Sequence, residues 1–358
     1  MRKRGIDVLL IASDGQMHHR GYLRYLSYWR TPSWEDYMVF PLEGEPTFFT
    51  HYTLRARWAN EIYGIKDSRS PSVGARHDTY VPYVVEELKK RKPHTIGLAS
   101  SQTMSGEFYK DLVSGLGGYD LVEAGNIIDE VRAVKSAEEL KLYRRSGEVA
   151  DLAYRALLKA LKPGRKEYEV VADAEHAAKS NGAEEVFYMI GSGSSPELKY
   201  NGMLDRTLRQ GDLVVFTLEI AGPGGYWTEI SRAVSIGSPS KSAIEAHKVV
   251  VEAEKKAVGE LRTGNSVGNV GRAIVDNVKG KGYALMGQAL GHGAGLDIYE
   301  PPLITPEDKT TLKPGMIFAI HPHALTSTGE GIIVCNNYLV TEGAPEPLFK
   351  SSSDLEVV

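Results

Sequence analysis

The chain of 358 residues contains a single cysteine, Cys335. That excludes an internal disulfide framework and suits a reducing compartment. No stretch approaches the ~18 consecutive apolar residues of a membrane span. The start, Met1-Arg2-Lys3-Arg4, is basic, but the apolar run after it, Val8–Ala12, is too short for the core of a signal peptide and reads as a first strand. Positive charge is not in excess: 42 Lys and Arg against 46 Asp and Glu leave a net charge of -4, with no basic footprint for nucleic acid. These shortages make a cytoplasmic protein without nucleic-acid or membrane partners the expectation. What remains is ordinary for a globular chain, 42% apolar and 25% charged, and long enough for two domains with their own cores.

The first third alternates strand and helix signals. Asp7–Ala12, Asp36–Pro41, Thr47–Thr50 and Thr95–Ala99 read as strands, while Val81–Arg91 carries helical spacing at Val81, Val84, Val85 and Leu88 before Pro93. The segment Tyr22–Trp34 is rich in aromatics and arginine (Arg24, Tyr25, Tyr28, Trp29, Arg30, Trp34). It is either a core strand or a surface that meets a partner subunit or substrate. Ser136 followed by Glu139 is a capping-box pattern opening a helix with Leu140, Tyr143, Gly147, Ala150 and Tyr154 on one face. The domain boundary is placed near residue 128.

The second part contains an internal repeat. Leu161-Lys162-Pro163-Gly164 returns as Leu261-Arg262-Thr263-Gly264, and Leu208-Arg209-Gln210-Gly211 returns as Leu312-Lys313-Pro314-Gly315. Each unit therefore runs helix, helix, strand pair, and two such units make a central cleft. Thr217 and His321 should occupy equivalent places, each at the same distance past its glycine. Strand alternation puts Val215, Thr217 and Glu219 on one face; Trp227, Glu229 and Ser231 on one face; Ile317, Ala319, His321 and His323 on one face; and Ile333, Cys335 and Asn337 on one face. Polar residues that interrupt apolar strands at symmetric positions point to a shared cavity. His292 arrives independently, framed by glycines in Gly287–Pro302 and followed by the stiff Tyr299-Glu300-Pro301-Pro302 exit. Gly191-Ser192-Gly193-Ser194-Ser195 lacks the ending of a phosphate-binding loop and reads as a connecting loop near the pocket mouth.

Several motifs stand in order: Val131-Arg132-Ala133-Val134-Lys135-Ser136-Ala137-Glu138-Glu139-Leu140, Gly211-Asp212-Leu213-Val214, Gly225-Tyr226-Trp227-Thr228-Glu229-Ile230-Ser231-Arg232, Gly291-His292-Gly293-Ala294-Gly295, Glu300-Pro301-Pro302 and Leu312-Lys313-Pro314-Gly315-Met316. Together they resemble the pita-bread family of creatinase, prolidase, aminopeptidase P and methionine aminopeptidase. The resemblance implies an α/β N-terminal domain (1–128) followed by an α+β pita-bread domain (129–358) with an internal pseudo-two-fold repeat, and a homodimer. It also implies a ligand map. Metallopeptidases of this family hold two divalent ions with two Asp, one His and two Glu. Here the first Asp falls at Thr217, the second at Glu229, the His at His292, the first Glu at His321, and the last Glu at Cys335, or at Asn336 if the register slips by one. Two further catalytic histidines fall at Lys199 and Tyr299. Paired dications need several anionic oxygens to offset their repulsion, and one carboxylate, Glu229, remains. A standard dinuclear centre is therefore not expected.

Three readings of the cleft follow. In the first, the chain hydrolyses a C–N bond in a small peptide or amidine-like compound without a metal, as creatinase works. His292 or His321 moves a proton, Glu229 fixes the imidazolium or a cationic substrate group, and Tyr299 and Lys199 donate to a developing oxyanion. Tyr188, Tyr200, Tyr226 and Trp227 wall the pocket, with Thr217 and His323 also facing substrate. In the second, a single divalent metal sits on Glu229, His292, His321 and Cys335, all legitimate zinc ligand types. In the third, the chain is a catalytically silent peptide-binding module. The first reading is preferred, because the replacements include His and Lys, which carry chemistry of their own.

Overall fold

The computed structural model describes residues 1–32, 34–71, 80–196, 199–200, 205–287 and 289–358, with Lys199 and Tyr200 described by their backbone. The chain divides into two compact units, Met1–Arg132 and Ala133–Val358. The division comes at the end of a helix, Gly125–Arg132, that runs through position 128.

The first unit follows the strand and helix signals closely. Its elements are β1 (Val8–Ser13), α1 (Gly21–Ser27), β2 (Asp36–Pro41), β3 (Thr47–Phe49), α2 (Thr53–Glu61), β4 (Asp67–Arg69), α3 (Val81–Lys90), β5 (Thr95–Ala99), α4 (Gly106–Gly115), β6 (Asp120–Glu123) and α5 (Gly125–Arg132). The strands form one mixed sheet in the order β4-β3-β2-β1-β5-β6. Apolar residues of β1 alternate between two cores: Val8, Leu10 and Ala12 pack with Val84, Leu88 and Phe108, while Leu9 and Ile11 pack with Leu23 and Trp29. The Tyr22–Trp34 segment is not a core strand. It begins as the short helix α1, which Tyr28 closes in a left-handed conformation (φ 59°). Tyr28 and Trp34 are exposed, whereas Trp29 is buried and its indole donates to Asp36 at 2.7 Å.

The second unit carries the repeat. Its elements are α6 (Ala137–Ala160), α7 (Glu167–Ser180), β7 (Glu185–Gly193), β8 (Lys199–Tyr200), β9 (Leu213–Ala221), β10 (Trp227–Ser235), α8 (Lys241–Glu260), α9 (Val267–Gly280), β11 (Gly291–Gly293), β12 (Glu300–Leu303), β13 (Ile317–Ile320), β14 (His323–Leu325), β15 (Gly331–Ile333), β16 (Asn336–Leu339), β17 (Glu346–Pro347) and β18 (Glu356–Val357). The Ser136–Glu139 capping box is present at the start of α6. One sheet runs β18-β10-β9-β7-β8 and another β12-β11-β13-β16-β17. Equivalent turns make equivalent hydrogen bonds: Gly211 N–H to Ile236 O (2.7 Å) matches Gly315 N–H to Val340 O (2.9 Å), and Gly164 N–H to Leu208 O matches Gly264 N–H to Leu312 O, both 2.9 Å.

Strand alternation sorts the two faces of the first sheet. Val214, Phe216, Leu218, Ile220, Ile230 and Val234 pack with α6 and α7. On the opposite face, Leu213, Val215 and Ala233 join the core that α8 and α9 make with Phe318, Ile320 and Ile333. Thr217, Glu219, Glu229 and Ser231 share that second face, because β9 and β10 pair Thr217 with Ser231 and Glu219 with Glu229.

Three details differ from the sequence reading. Gly191–Gly193 is the end of β7 and not a connecting loop. Tyr188 lies opposite Leu218 and packs with the helix-side core, so it does not wall the cleft. The strands read through Ile317–His323 and Ile333–Asn337 are each broken in two. Pro322 has no N–H to continue the ladder, and its carbonyl instead accepts from Val334. His323 thereby opens a separate strand, paired with Ile333.

Asp36 supplies a test of the first unit. It is fully buried; burial pushes its carboxyl up to about 6, against the opposing pull of nearby Thr50, of the Trp29 indole N–H and of Thr31. An unfolded aspartate titrates near 3.8, so the folded group keeps a proton that the unfolded chain loses between that value and about 6. Stability from this group therefore falls as pH rises through the interval, by of order 3 kcal/mol. Asp36→Asn is expected to remove this slope when thermal melting is compared from pH 4 to pH 7.

Candidate functional site

The site begins with the glycines around His292. A Cβ on Gly291 (φ +150°) would lie 2.4 Å from the Ala319 carbonyl, and one on Gly295 would fall on the Glu300 carboxylate. Both glycines thus let neighbouring chain close around the imidazole. Glu300 accepts from the Leu296 N–H at 2.7 Å and faces Lys135 Nζ at 3.2 Å, with both side chains buried. This pair ties the linker motif to the turn after β11.

His292 sits between Ala319 and Leu303 in the sheet. Its Nδ1 lies 2.9 Å from the Gly293 carbonyl. A carbonyl only accepts, so Nδ1 carries the hydrogen and Nε2 of the neutral ring presents a lone pair. That lone pair faces Glu229 Oε2 at 3.3 Å. Two acceptors cannot face each other without a cation between them, either a proton or a metal ion. The separation exceeds the roughly 2.7–2.9 Å of a charge-assisted N–H···O bond.

His321 completes the group. Its Nε2 is 3.9 Å from the same Glu229 oxygen and makes no hydrogen bond, and its ring lies 5.3 Å from that of His292. Burial pushes the imidazole down to about 4, although Glu229 pulls the other way, so it is neutral at physiological pH. Burial alone would raise the Glu229 carboxyl, but the imidazoles of His321 and then His292 beside it favour the ionised form, outweigh burial and hold it down at about 2. Glu229, His292 and His321 each offer one ligand atom, all within 4.8 Å of one another.

Cys335 stands beside this group and not in it. It is buried near Glu229, and burial followed by the Glu229 charge pushes its pKa up. Its sulfur lies outside the group of ligand atoms that fall within 4.8 Å of one another. Its backbone pairs with Ser231, and Arg232 donates to the Cys335 carbonyl and to Asn336 Oδ1, both at 2.7 Å. Asn337 Oδ1 accepts from the Glu229 N–H at 2.8 Å. These bonds join the two halves at the carboxylate.

The other expected site residues divide. Thr217 is buried and shares a 2.8 Å hydrogen bond with Ser231, which in turn donates to Glu229. Tyr299 packs edge-on against His292, ring centres 4.0 Å apart, and is 36% exposed, at the solvent edge of the site. Tyr226 is not a cleft wall: its hydroxyl donates to Glu139 at 3.0 Å and its ring packs on Tyr143, so it braces α6. His323 is buried and its Nδ1 accepts from the Met286 N–H, a packing position. The side chains of Lys199 and Tyr200 lie outside the described residues. Glu219, opposite Glu229, received no role from the sequence. An acid inside Val214-Val215-Phe216-Thr217-Leu218-Glu219-Ile220 was the signal for it.

Residues 141–342 match metallopeptidase family M24. The chain belongs to this family. It is 29% identical over 288 residues to the Xaa-Pro dipeptidase of Pyrococcus furiosus, covering 78% of this chain and 82% of that protein. The crystal structure of the prolidase from Pyrococcus horikoshii superposes with a TM-score of 0.85 at 26% identity, over 99% of this chain and 97% of that one. The dipeptidase PepE structure from Mycobacterium ulcerans gives 0.83 at 27% identity, over 100% and 94%. The pita-bread architecture and a hydrolase are thereby borne out for this M24 chain, and no described helix is long and apolar enough to cross a membrane.

The Lys135–Glu300 pair gives a test of how this site is held. Lys135→Met should lower stability by about 3 kcal/mol, because it strands a buried carboxylate. Adding Glu300→Gln should recover part of that loss, read from urea unfolding of the single and double variants.

Proposed function

We propose that the chain hydrolyses a C–N bond in small peptides of the Xaa-Pro type, with Glu229, His292 and His321 holding a single divalent ion. The observation that carries this reading is the facing of His292 Nε2 and Glu229 Oε2 beside an unsatisfied His321 Nε2. One glutamate and two imidazoles are a ligand set that suits zinc and leaves a position open. A pair of ions is a poorer fit: Thr217 and His321 bring no anionic oxygen, and Cys335 lies outside the three-residue group. When bound, the ion would polarise the scissile carbonyl and activate water.

The protein's own groups do the rest. The Gly293 carbonyl fixes the ring of His292, and Ser231 and the Asn337 amide fix Glu229. Neutral His321 presents a lone pair and not a charge. Tyr299, at the solvent edge, would donate to the developing oxyanion. The relatives named Xaa-Pro dipeptidase and prolidase support the substrate class. A cytoplasmic homodimer is part of the same proposal.

A second reading replaces the ion with a proton. The 3.3 Å Glu229–His292 contact favours it, since a proton on Nε2 also closes the gap and makes His292 a shuttle, as in metal-free family members.

Chelation separates the two. Added zinc should raise the melting temperature of chelator-dialysed protein, through binding to the folded state, and restore hydrolysis of alanyl-proline. His321→Ala should abolish both effects, and His292→Ala should lower kcat/KM by about a hundredfold or more. Turnover unchanged by chelation would establish the proton shuttle. Peptide binding with no turnover in either state would return the chain to a peptide-binding module.

A further inference from the structure

Glu219 is left over from the arrangement above. It stands opposite Glu229 in the β9–β10 ladder, on the face shared with Thr217 and Ser231, and is 2% exposed. Glu229 is matched by His292, His321, Ser231 and Cys335. Glu219 has no such match among the described residues: it is buried directly opposite the Glu229 carboxylate. Like charges directly opposite on a ladder are unfavourable, and a buried anion is retained where something pairs with it. An apolar residue at 219 would continue the strand without this penalty. Glu219 is also outside the three-residue group whose ligand atoms lie within 4.8 Å of one another, so it is not a fourth ligand to the same ion.

We propose that Glu219 anchors a positively charged group of the substrate, an ammonium or amidinium, on the β9 side of the reacting bond. Two carboxylates on one face then meet two cations. Glu229 takes the cation it shares with His292 and His321, and Glu219 takes the one the substrate brings. An ammonium offers three donors to a carboxylate and an amidinium a parallel pair. Thr217, two residues away on the same face, is already occupied by Ser231, which leaves the charge of Glu219 as the recognising feature. Glu219 thus sets the substrate class of the hydrolytic site, and the assignment rests on that reading.

Isothermal titration calorimetry with three probes tests it: alanyl-proline, its desamino analogue propionyl-proline, and guanidinoacetate. Wild-type protein is expected to bind alanyl-proline about tenfold or more tightly than propionyl-proline. Glu219→Gln, which keeps shape and removes charge, should erase that preference while leaving propionyl-proline binding unchanged, and Glu219→Asp should keep part of it. The melting temperature of Glu219→Gln should equal or exceed the wild type's, since a buried acid beside another carboxylate is replaced by a neutral group of the same shape. Glu219-dependent binding of guanidinoacetate alone would assign the amidinium as the source of the charge. A preference for the amine that persists in Glu219→Gln, or no Glu219-dependent binding of either cation, would overturn the assignment. Failure of the wild type to hydrolyse alanyl-proline while cation binding still depends on Glu219 would fault the hydrolase reading alone.

Discussion

The second unit depends on a confrontation between two acceptors. The Gly293 carbonyl commits the hydrogen of His292 to Nδ1, and the ring then turns a lone pair toward a buried carboxylate oxygen. Such a contact is repulsive until a cation enters it. Much of the surrounding structure holds the partners in place regardless. Glycines let the chain close around the imidazole, the Lys135–Glu300 pair anchors the turn that follows, and Asn337, Ser231 and Cys335 converge on Glu229. Two acceptors held face to face by well-supported neighbours suit a cation between them.

The duplicated architecture explains how residues so far apart in sequence meet. The first sheet spends one face on α6 and α7, and its other face joins the core that α8 and α9 make with the second sheet. The few polar positions on that shared face gather at the seam. Thr217, Glu219, Glu229 and Ser231 come from one half, and His292 and His321 from the other. Arg232 stitches the seam from beside Glu229, donating to the carbonyls of Ser231 and Cys335 and to Asn336. The two halves are not alike in detail: Pro322 breaks the second ladder just past His321, so the site is lined by a continuous hairpin on one side and by short strands on the other.

Local chemistry was what the sequence made legible. The Ser136–Glu139 box, the paired Gly211 and Gly315 turns, and the period-two alternation of β9 and β10 are set by neighbours a few residues away, and all stand where read. Tertiary partners were not legible. Tyr226 looked like a pocket wall because aromatic residues often are, but its hydroxyl finds Glu139, which no local pattern announces. Tyr188 followed from alternation once its register against Leu218 was known. Cys335 was placed among the ligands by position, whereas its distance from His292 and His321 depends on how two sheets meet. Glu219 is the opposite case: alternation had already put it on the right face, and the physical oddity of an acid in an apolar strand was passed over.

The most direct measurement is anomalous diffraction at the zinc absorption edge from crystals grown with zinc. The account predicts one peak in contact with Glu229 Oε2, His292 Nε2 and His321 Nε2, with the Cys335 sulfur outside the coordination sphere. Two adjacent peaks, or a fully charged crystal with no peak there and the His292 ring turned away from Glu229, would contradict it.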